Sequence, residues 1–322
     1  MRIAVLDGKA LEPDPESWHP IRLLASEGEF VWHPVTATEE VAQHASGAEV
    51  LVVNKVKVNA ELLDGLPDLK LIAITATGCD NVDVVAAAAR NVMVCNVPAY
   101  STDSVAQHVF AMLLSYIHKP QAHHMAIDGG QWQAAGQFTF WLSPLTELKG
   151  KNFGIIGFGR IGQATARLAK AFGMNVLVHS RTEKQVPGLE DVEWYSLEDL
   201  LAKSDVVSLH CPATADNEQF VNKDFLKGMQ SKAILINTAR GALINEEDLA
   251  DALKLGVIGG ACLDVLSSEP PGADNPLLMC DNCLVTPHIA WTTTEARSRC
   301  MNIAAENIAA FFDGNPVNVI DP

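Results

Sequence analysis

Three residues in the last third of this 322-residue chain could together deliver a proton and hold a carboxylate. Arg240 stands in Ile-Asn-Thr-Ala-Arg-Gly just past an apolar run, Glu269 in Leu-Asp-Val-Leu-Ser-Ser-Glu-Pro-Pro, and His288 in Thr-Pro-His-Ile-Ala-Trp. Hydride addition to a ketone leaves a developing alkoxide that needs a proton, and an imidazole at His288 can supply it. A carboxylate at Glu269, bonded to the far ring nitrogen, favours the charged ring. A guanidinium at Arg240 can hold a substrate carboxylate and polarise the carbonyl. Taken singly, each has an ordinary alternative: a core histidine, a loop ion pair, a helix-capping arginine. Their joint occurrence downstream of a dinucleotide loop is what singles them out.

That loop is Gly157-Phe-Gly159-Arg160-Ile161-Gly162, placed directly after the apolar run Asn152–Ile156 and before a helical stretch over Gln163–Phe172. In this context GxGxxG has a mechanical reading. Gly157 permits the tight turn, Gly159 lets backbone approach a pyrophosphate, and Gly162 allows close helix–strand packing. The helix N-terminus then receives the phosphates. The next strand ends Val178-His179-Ser180-Arg181-Thr182, without the acidic residue that normally bonds the adenosine ribose. Serine and arginine would bond and neutralise a 2′-phosphate, which predicts NADPH over NADH. The other reading has Arg181 stacking on adenine while NAD is used.

The elements that must position these residues are short β-branched runs separated by helix-length segments. The first set is Ile3–Leu6, Phe30–His33, Val50–Val53, Leu69–Thr75 and Val92–Cys95. The second is Asn152–Ile156, Asn175–His179, Asp205–His210, Ala233–Asn237, Val257–Asp264 and Cys283–Thr286. Apolar strands alternating with helices predict an α/β protein with two doubly wound parallel sheets. Arg240, Glu269 and His288 then all follow strands of the second sheet, at the carboxyl ends where such folds bind ligands. Helical spacing marks Ser101–Lys119 and Thr292–Asp313, the latter predicted to cross back to the first domain. Gln121–Lys149 reads as an irregular Gly- and Trp-bearing arm for oligomerisation, or else a surface excursion.

Bulk properties exclude several classes. A 48% hydrophobic chain of this length suits about two domains with large cores. Its net charge of −16, with no Lys/Arg cluster, repels nucleic acid and anionic membrane. An anionic substrate must therefore be met by local cations. No apolar run reaches the roughly 20 residues that span a bilayer, and the N-terminus is too short in apolar residues for a signal peptide. Seven unpatterned cysteines point to reduced thiols in a cytoplasm. The lone Cys280-Asp-Asn-Cys283 cannot complete a tetrahedral metal site, so no metal is expected.

The sequence resembles the D-isomer-specific 2-hydroxyacid dehydrogenase family, and within it the glycerate dehydrogenase/hydroxypyruvate (glyoxylate) reductase branch. The matching segments run nearly end to end: Asn54-Lys-Val-Lys, Thr75-Ala-Thr-Gly-Cys-Asp-Asn-Val-Asp83, Asn96-Val-Pro-Ala-Tyr100, the Gly157–Gly162 loop, His210-Cys-Pro-Ala-Thr214, Asn237-Thr-Ala-Arg-Gly241 and Thr286–Trp291. The resemblance implies a flavodoxin-like substrate domain from residues 1–100 and 290–322, with a Rossmann coenzyme domain inserted at 101–289 and the active site in the cleft between them. It implies a homodimer held partly by an arm at 121–149. It implies reduction of hydroxypyruvate or glyoxylate to D-glycerate or glycolate with NAD(P)H.

Residue by residue, the resemblance gives Arg240, Glu269 and His288 catalytic roles. Asn54, Thr77, Gly78, Arg240 and Trp291 would contact substrate. Val105, Gly157, Gly159, Arg160, Ile161, Gly162, Ser180, Arg181, Cys211, Pro212, Thr238, Asp264, His288 and Ala290 would contact coenzyme, with Asp264 bonding the nicotinamide amide. Two positions depart from the family pattern: Ser180 replaces an acidic residue, and Gln107 replaces a common glutamate, where only a packing consequence is expected. Formate-oxidising relatives would carry glutamine at position 269, so Glu269 argues against that chemistry. Non-catalytic corepressor-like relatives would carry docking extensions, of which almost none is expected here beyond the core fold. A phosphoglycerate enzyme needs more cations than Lys55 and Lys57 near Asn54, and D-lactate remains a further alternative.

Overall fold

The computed structural model describes residues 1–26 and 29–321. It divides into two compact units, Met1–Ser101 with Thr292–Pro322, and Thr102–Trp291.

The first unit is a parallel sheet of β1 (Ile3–Val5), β2 (Phe30–Trp32), β3 (Val50–Val53), β4 (Leu71–Ile74) and β5 (Met93–Cys95), in the order β2-β1-β3-β4-β5. β1, β3 and β4 are apolar throughout and buried along their whole length, as strands covered on both faces must be. One face packs Leu51, Val53, Leu63, Ile72 and Ala87. The C-terminal helix Thr294–Phe312, opened by a Thr293 side-chain cap on the Ala296 N–H, belongs to this unit and lies against β4.

The second unit carries β6 (Asn152–Ile156), β7 (Asn175–His179), β8 (Glu193–Trp194), β9 (Val206–Leu209), β10 (Ile234–Asn237), β11 (Gly260–Leu263) and β12 (Cys283–Val285). Their order is β12-β11-β10-β9-β6-β7-β8, all parallel, with the chain reversing direction of growth between β6 and β9. That reversal is the switch point at which doubly wound sheets bind ligands. Two apolar layers cover the sheet. Leu200, Leu226, Leu235 and Leu249 fill one. Val109, Leu113, Phe153, Ala166 and Ile236 fill the other, where the helices Thr102–His118 and Arg160–Ala171 pack together.

All eleven runs read as strands form strands, trimmed by one or two residues at an end in several cases and by three at the start of β11. The two-residue edge strand β8 was not anticipated, because Glu193–Trp194 is too short to show a period. The segment 121–149 is not irregular throughout. It begins with the helices Pro120–Asp128 and Gln131–Ala135, separated by Gly129-Gly130. Pro120 sits at the first helical position, where its missing N–H costs nothing. The helix is exposed nearly all round, so no buried stripe marked it in the sequence.

Candidate active site

β10, β11 and β12 are consecutive neighbours, and Arg240, Glu269 and His288 lie on the loops leaving their carboxyl ends. The register carries these loops side by side, since the Asp264 N–H bonds the Asn237 carbonyl and the Thr286 N–H bonds the Leu263 carbonyl, both at 2.9 Å.

His288 and Glu269 form a direct pair: Nδ1 lies 2.7 Å from Oε2, with side chains 27% and 37% exposed. The carboxylate can only accept, so Nδ1 carries the hydrogen and Nε2 is the nitrogen left for chemistry. The second carboxylate oxygen accepts the Leu266 N–H at 3.1 Å, which fixes the orientation of the glutamate. Arg240 donates from Nη1 to the Ala239 carbonyl at 2.8 Å, while its own carbonyl accepts Asn237 Nδ2 at 2.8 Å. The next residue must be glycine: a Cβ at Gly241 would lie 2.0 Å from the Leu266 backbone carbon. That close approach presses the arginine loop against the loop carrying Glu269.

His288 has φ +54, a left-handed conformation that costs a non-glycine residue roughly 1–2 kcal/mol. Asp264, at the end of β11, holds it there. The Asp264 carbonyl accepts the His288 N–H at 2.8 Å, and the carboxylate accepts the N–H groups of Ile289 and Ala290, each at 2.8 Å. Thr286 Oγ1 donates to Asp264 Oδ1 at 2.6 Å. Burial of this fully enclosed carboxyl pulls its pKa up. Hydrogen bonds from His108, Thr286, Ala290 and Ile289 outweigh that and leave it below its ordinary value. Asp264 therefore builds the histidine loop through its observed partners. Ser104 and His108, which sequence reasoning did not single out, also reach this loop. Their only sequence signal is a polar residue and a histidine one helical turn apart on an otherwise apolar face.

The glycine loop follows β6. Gly157 has φ +96, and a Cβ there would meet the Cys211 backbone nitrogen at 2.6 Å. A Cβ at Gly162 would meet the Gly157 carbonyl oxygen at 2.3 Å. Gly159, by contrast, faces open space with nothing within 4 Å. It is the N-cap of the helix Arg160–Ala171 and provides no side-chain cap, which leaves the first-turn N–H groups of Arg160 and Ile161 without intrahelical acceptors. Such a cradle fits a pyrophosphate. Beyond β10, the buried Thr238 Oγ1 has no partner, a second polar atom suited to a bound coenzyme. Ser180 is half-buried and Arg181 exposed at the end of β7. Cys211 lines the turn at Gly157; burial raises its thiol, partly offset by its backbone hydrogen bond and then by the Arg181 charge. The Pro212 carbonyl accepts Asn217 Nδ2 at 2.9 Å. Val105 and Ala290 are buried and Trp291 is half-buried, all within the same unit as the trio.

Asn54, Thr77 and Gly78 belong to the first unit, at the carboxyl edge of its sheet. Buried Asn54 donates to the Thr75 carbonyl at 2.8 Å, and Thr77 Oγ1 donates to the Val97 carbonyl at 2.9 Å. Among the described residues no cluster of His, Cys, Asp or Glu is arranged to hold a metal ion.

Residues 110–290 match the family model described as "D-isomer specific 2-hydroxyacid dehydrogenase, NAD binding domain". A hydroxypyruvate reductase of Blautia hydrogenotrophica is 40% identical over 100% of both chains. The chain belongs to the D-isomer-specific 2-hydroxyacid dehydrogenase family. It is thus an NAD(P)-dependent oxidoreductase whose nicotinamide coenzyme domain lies in the second unit. Another relative in this dehydrogenase family, a glycerate dehydrogenase of Methylorubrum extorquens, is 39% identical over 92% of this chain and 91% of its own. Among solved structures, an NADPH-dependent glyoxylate/hydroxypyruvate reductase of Sinorhizobium meliloti superposes with a TM-score of 0.85 at 30% identity, covering 99% of this chain and 97% of that one.

Proposed function

We propose that this dehydrogenase reduces hydroxypyruvate or glyoxylate to D-glycerate or glycolate, with NADPH as its favoured coenzyme. The observation that carries the reading is the 2.7 Å His288–Glu269 pair on loops beside the Arg240 loop, downstream of an uncapped glycine cradle. Relatives named for these two substrates support the choice of keto acid.

Gly157, Gly159, Arg160, Ile161 and Gly162 would hold the pyrophosphate, and Thr238, Val105 and Ala290 the nicotinamide end. The bound coenzyme supplies the hydride. His288, with its Nδ1 hydrogen committed to Glu269, presents Nε2–H to the developing alkoxide and gives up that proton as the C–H bond forms. The ring then returns to neutral, with Glu269 fixing its tautomer and orientation throughout. Arg240 supplies a fixed positive charge to the substrate carboxylate and carbonyl oxygen. This local charge offsets the acidic background of a chain with net charge −16.

The absence of a carboxylate after β7, with Ser180 and Arg181 in its place, supports NADPH. The solved relative from Sinorhizobium meliloti is named as NADPH-dependent. We further propose a homodimer through the arm at 121–149, which exposes Met125, Trp132, Phe138, Trp141, Leu142 and Leu145. Seven free thiols support residence in a reducing cytoplasm.

The test is steady-state reduction of a panel of 2-keto acids with NADH and NADPH side by side. Turnover of hydroxypyruvate or glyoxylate, faster per unit of NADPH than NADH, is expected. Absence of turnover with every keto acid would end the proposal.

A further inference from the structure

The loop that presents His288 is gripped from outside the β-strands by one helix. Ser104 Oγ donates to the Ala290 carbonyl at 2.6 Å. One turn later on the helix Thr102–His118, His108 Nε2 lies 3.1 Å from Thr286 Oγ1 and 3.4 Å from Asp264 Oδ1. These two contacts bracket His288 on either side, at residues 286 and 290. Positions 104 and 108 share a face because four residues make roughly one helical turn.

The hydrogen count assigns the direction of each bond. The Thr286 hydroxyl has one hydrogen, and the carboxylate 2.6 Å away takes it. Thr286 Oγ1 is then an acceptor toward the helix, so His108 Nε2 must be the donor. A chain of donors runs from His108 to Thr286 to Asp264, whose carboxylate in turn receives the N–H groups of residues 289 and 290. Each link depends on the one before: without the imidazole, the threonine oxygen loses its N–H donor from the helix.

We propose that Ser104 and His108 form a clamp that holds the His288 loop in its left-handed turn, with His108 a positioning residue for the proton donor. This rests on the reading of His288 as that donor. The loop needs such a device because the left-handed φ of +54 at His288 is strained and would relax if released. A relaxed turn would swing Nδ1 away from Glu269 and lose the aim of Nε2. A shift of about 1 Å at a reacting group costs on the order of a hundredfold in rate.

The experiment compares wild type, His108→Gln, His108→Leu and Ser104→Ala. Glutamine places an N–H near the position of Nε2, whereas leucine fills the space without a donor. Two readouts are taken on each full-length protein. The first is amide hydrogen exchange over residues 286–290, which needs no turnover. The second is kcat and coenzyme KM with hydroxypyruvate, alongside Tm. The expected result for His108→Leu is faster exchange in this loop and a kcat ten- to a hundredfold lower, with coenzyme KM and Tm little changed. His108→Gln is expected to recover most of both. Unchanged exchange in His108→Leu overturns the clamp. So does a loss of kcat that tracks a loss of Tm and is not restored by glutamine. If wild type turns over no keto acid, the proposed reaction fails, and the exchange comparison still decides whether His108 holds the loop.

Discussion

His288 Nδ1 and Glu269 Oε2 lie 2.7 Å apart although the residues are 19 positions apart in the chain, on loops after neighbouring strands β12 and β11. Adjacent parallel strands deliver the two side chains to one edge, and the Leu266 N–H turns the glutamate to face the ring. Glu269→Gln keeps an acceptor and removes the charge. The expected outcome is a kcat at least about tenfold lower for keto-acid reduction, because the ring loses the anion that holds its Nδ1–H. Steady-state kcat of the variant checks this; an unchanged kcat means that the carboxylate does not serve the ring.

Arg181 should decide between coenzymes. Arg181→Asp places a negative charge where a 2′-phosphate would sit, so kcat/KM with NADPH should fall at least about tenfold while NADH changes little. Parallel titrations with both coenzymes read the ratio, and equal losses would remove the basis for a phosphate site.

The glycine loop makes a prediction with an internal control. Gly162→Ala forces a Cβ to within 2.3 Å of the Gly157 carbonyl oxygen, and Gly157→Ala adds a strained φ of +96 to a 2.6 Å clash. Overpacking of this kind costs about 1–3 kcal/mol and should abolish measurable coenzyme binding by fluorescence titration. Gly159→Ala meets nothing within 4 Å, so it should preserve Tm while weakening the coenzyme, whose pyrophosphate approaches that side.

Asp264 gives a stability signature with a definite sign. Its folded-state pKa lies below the ordinary 3.8, so the unfolded chain takes up its proton first as pH falls. The stabilisation is complete above about pH 4 and is lost as pH falls through the folded value. Asp264→Asn should therefore be less stable than wild type in urea at pH 7, with the gap narrowing below pH 4. A gap independent of pH would show that the carboxylate contributes only through its shape.

The exposed arm predicts assembly. Phe138 is 90% exposed and Trp141 66%, a large unpartnered apolar surface for one chain. Replacing both with serine should shift sedimentation from dimer to monomer without loss of Tm; an unchanged profile would remove the arm from the interface.

Much of this architecture was readable in advance. Buried parallel strands announce themselves as near-continuous apolar runs, and β3 and β4 are of that kind. GxGxxG carried meaning because two of its glycines, Gly157 and Gly162, answer a steric demand of the fold and Gly159 leaves open space at the helix N-terminus. What stayed hidden was long-range or exposed. The helix Pro120–Asp128 has no buried stripe to betray it, and β8 is too short for a period. The contact of His108 with Thr286 joins residues 178 positions apart, which no local pattern encodes. The bonds of Asp264 to the loop it supports likewise join residues 22 to 26 positions apart, and a buried carboxylate takes such nearby N–H and O–H donors.

Whether His288 delivers the proton is read from kcat of His288→Gln, measured beside coenzyme affinity on the same protein. A fall of about 10²–10⁴-fold in kcat for hydroxypyruvate or glyoxylate is expected, with NAD(P)H affinity essentially retained. A variant that reduces the keto acid at the wild-type rate would contradict it.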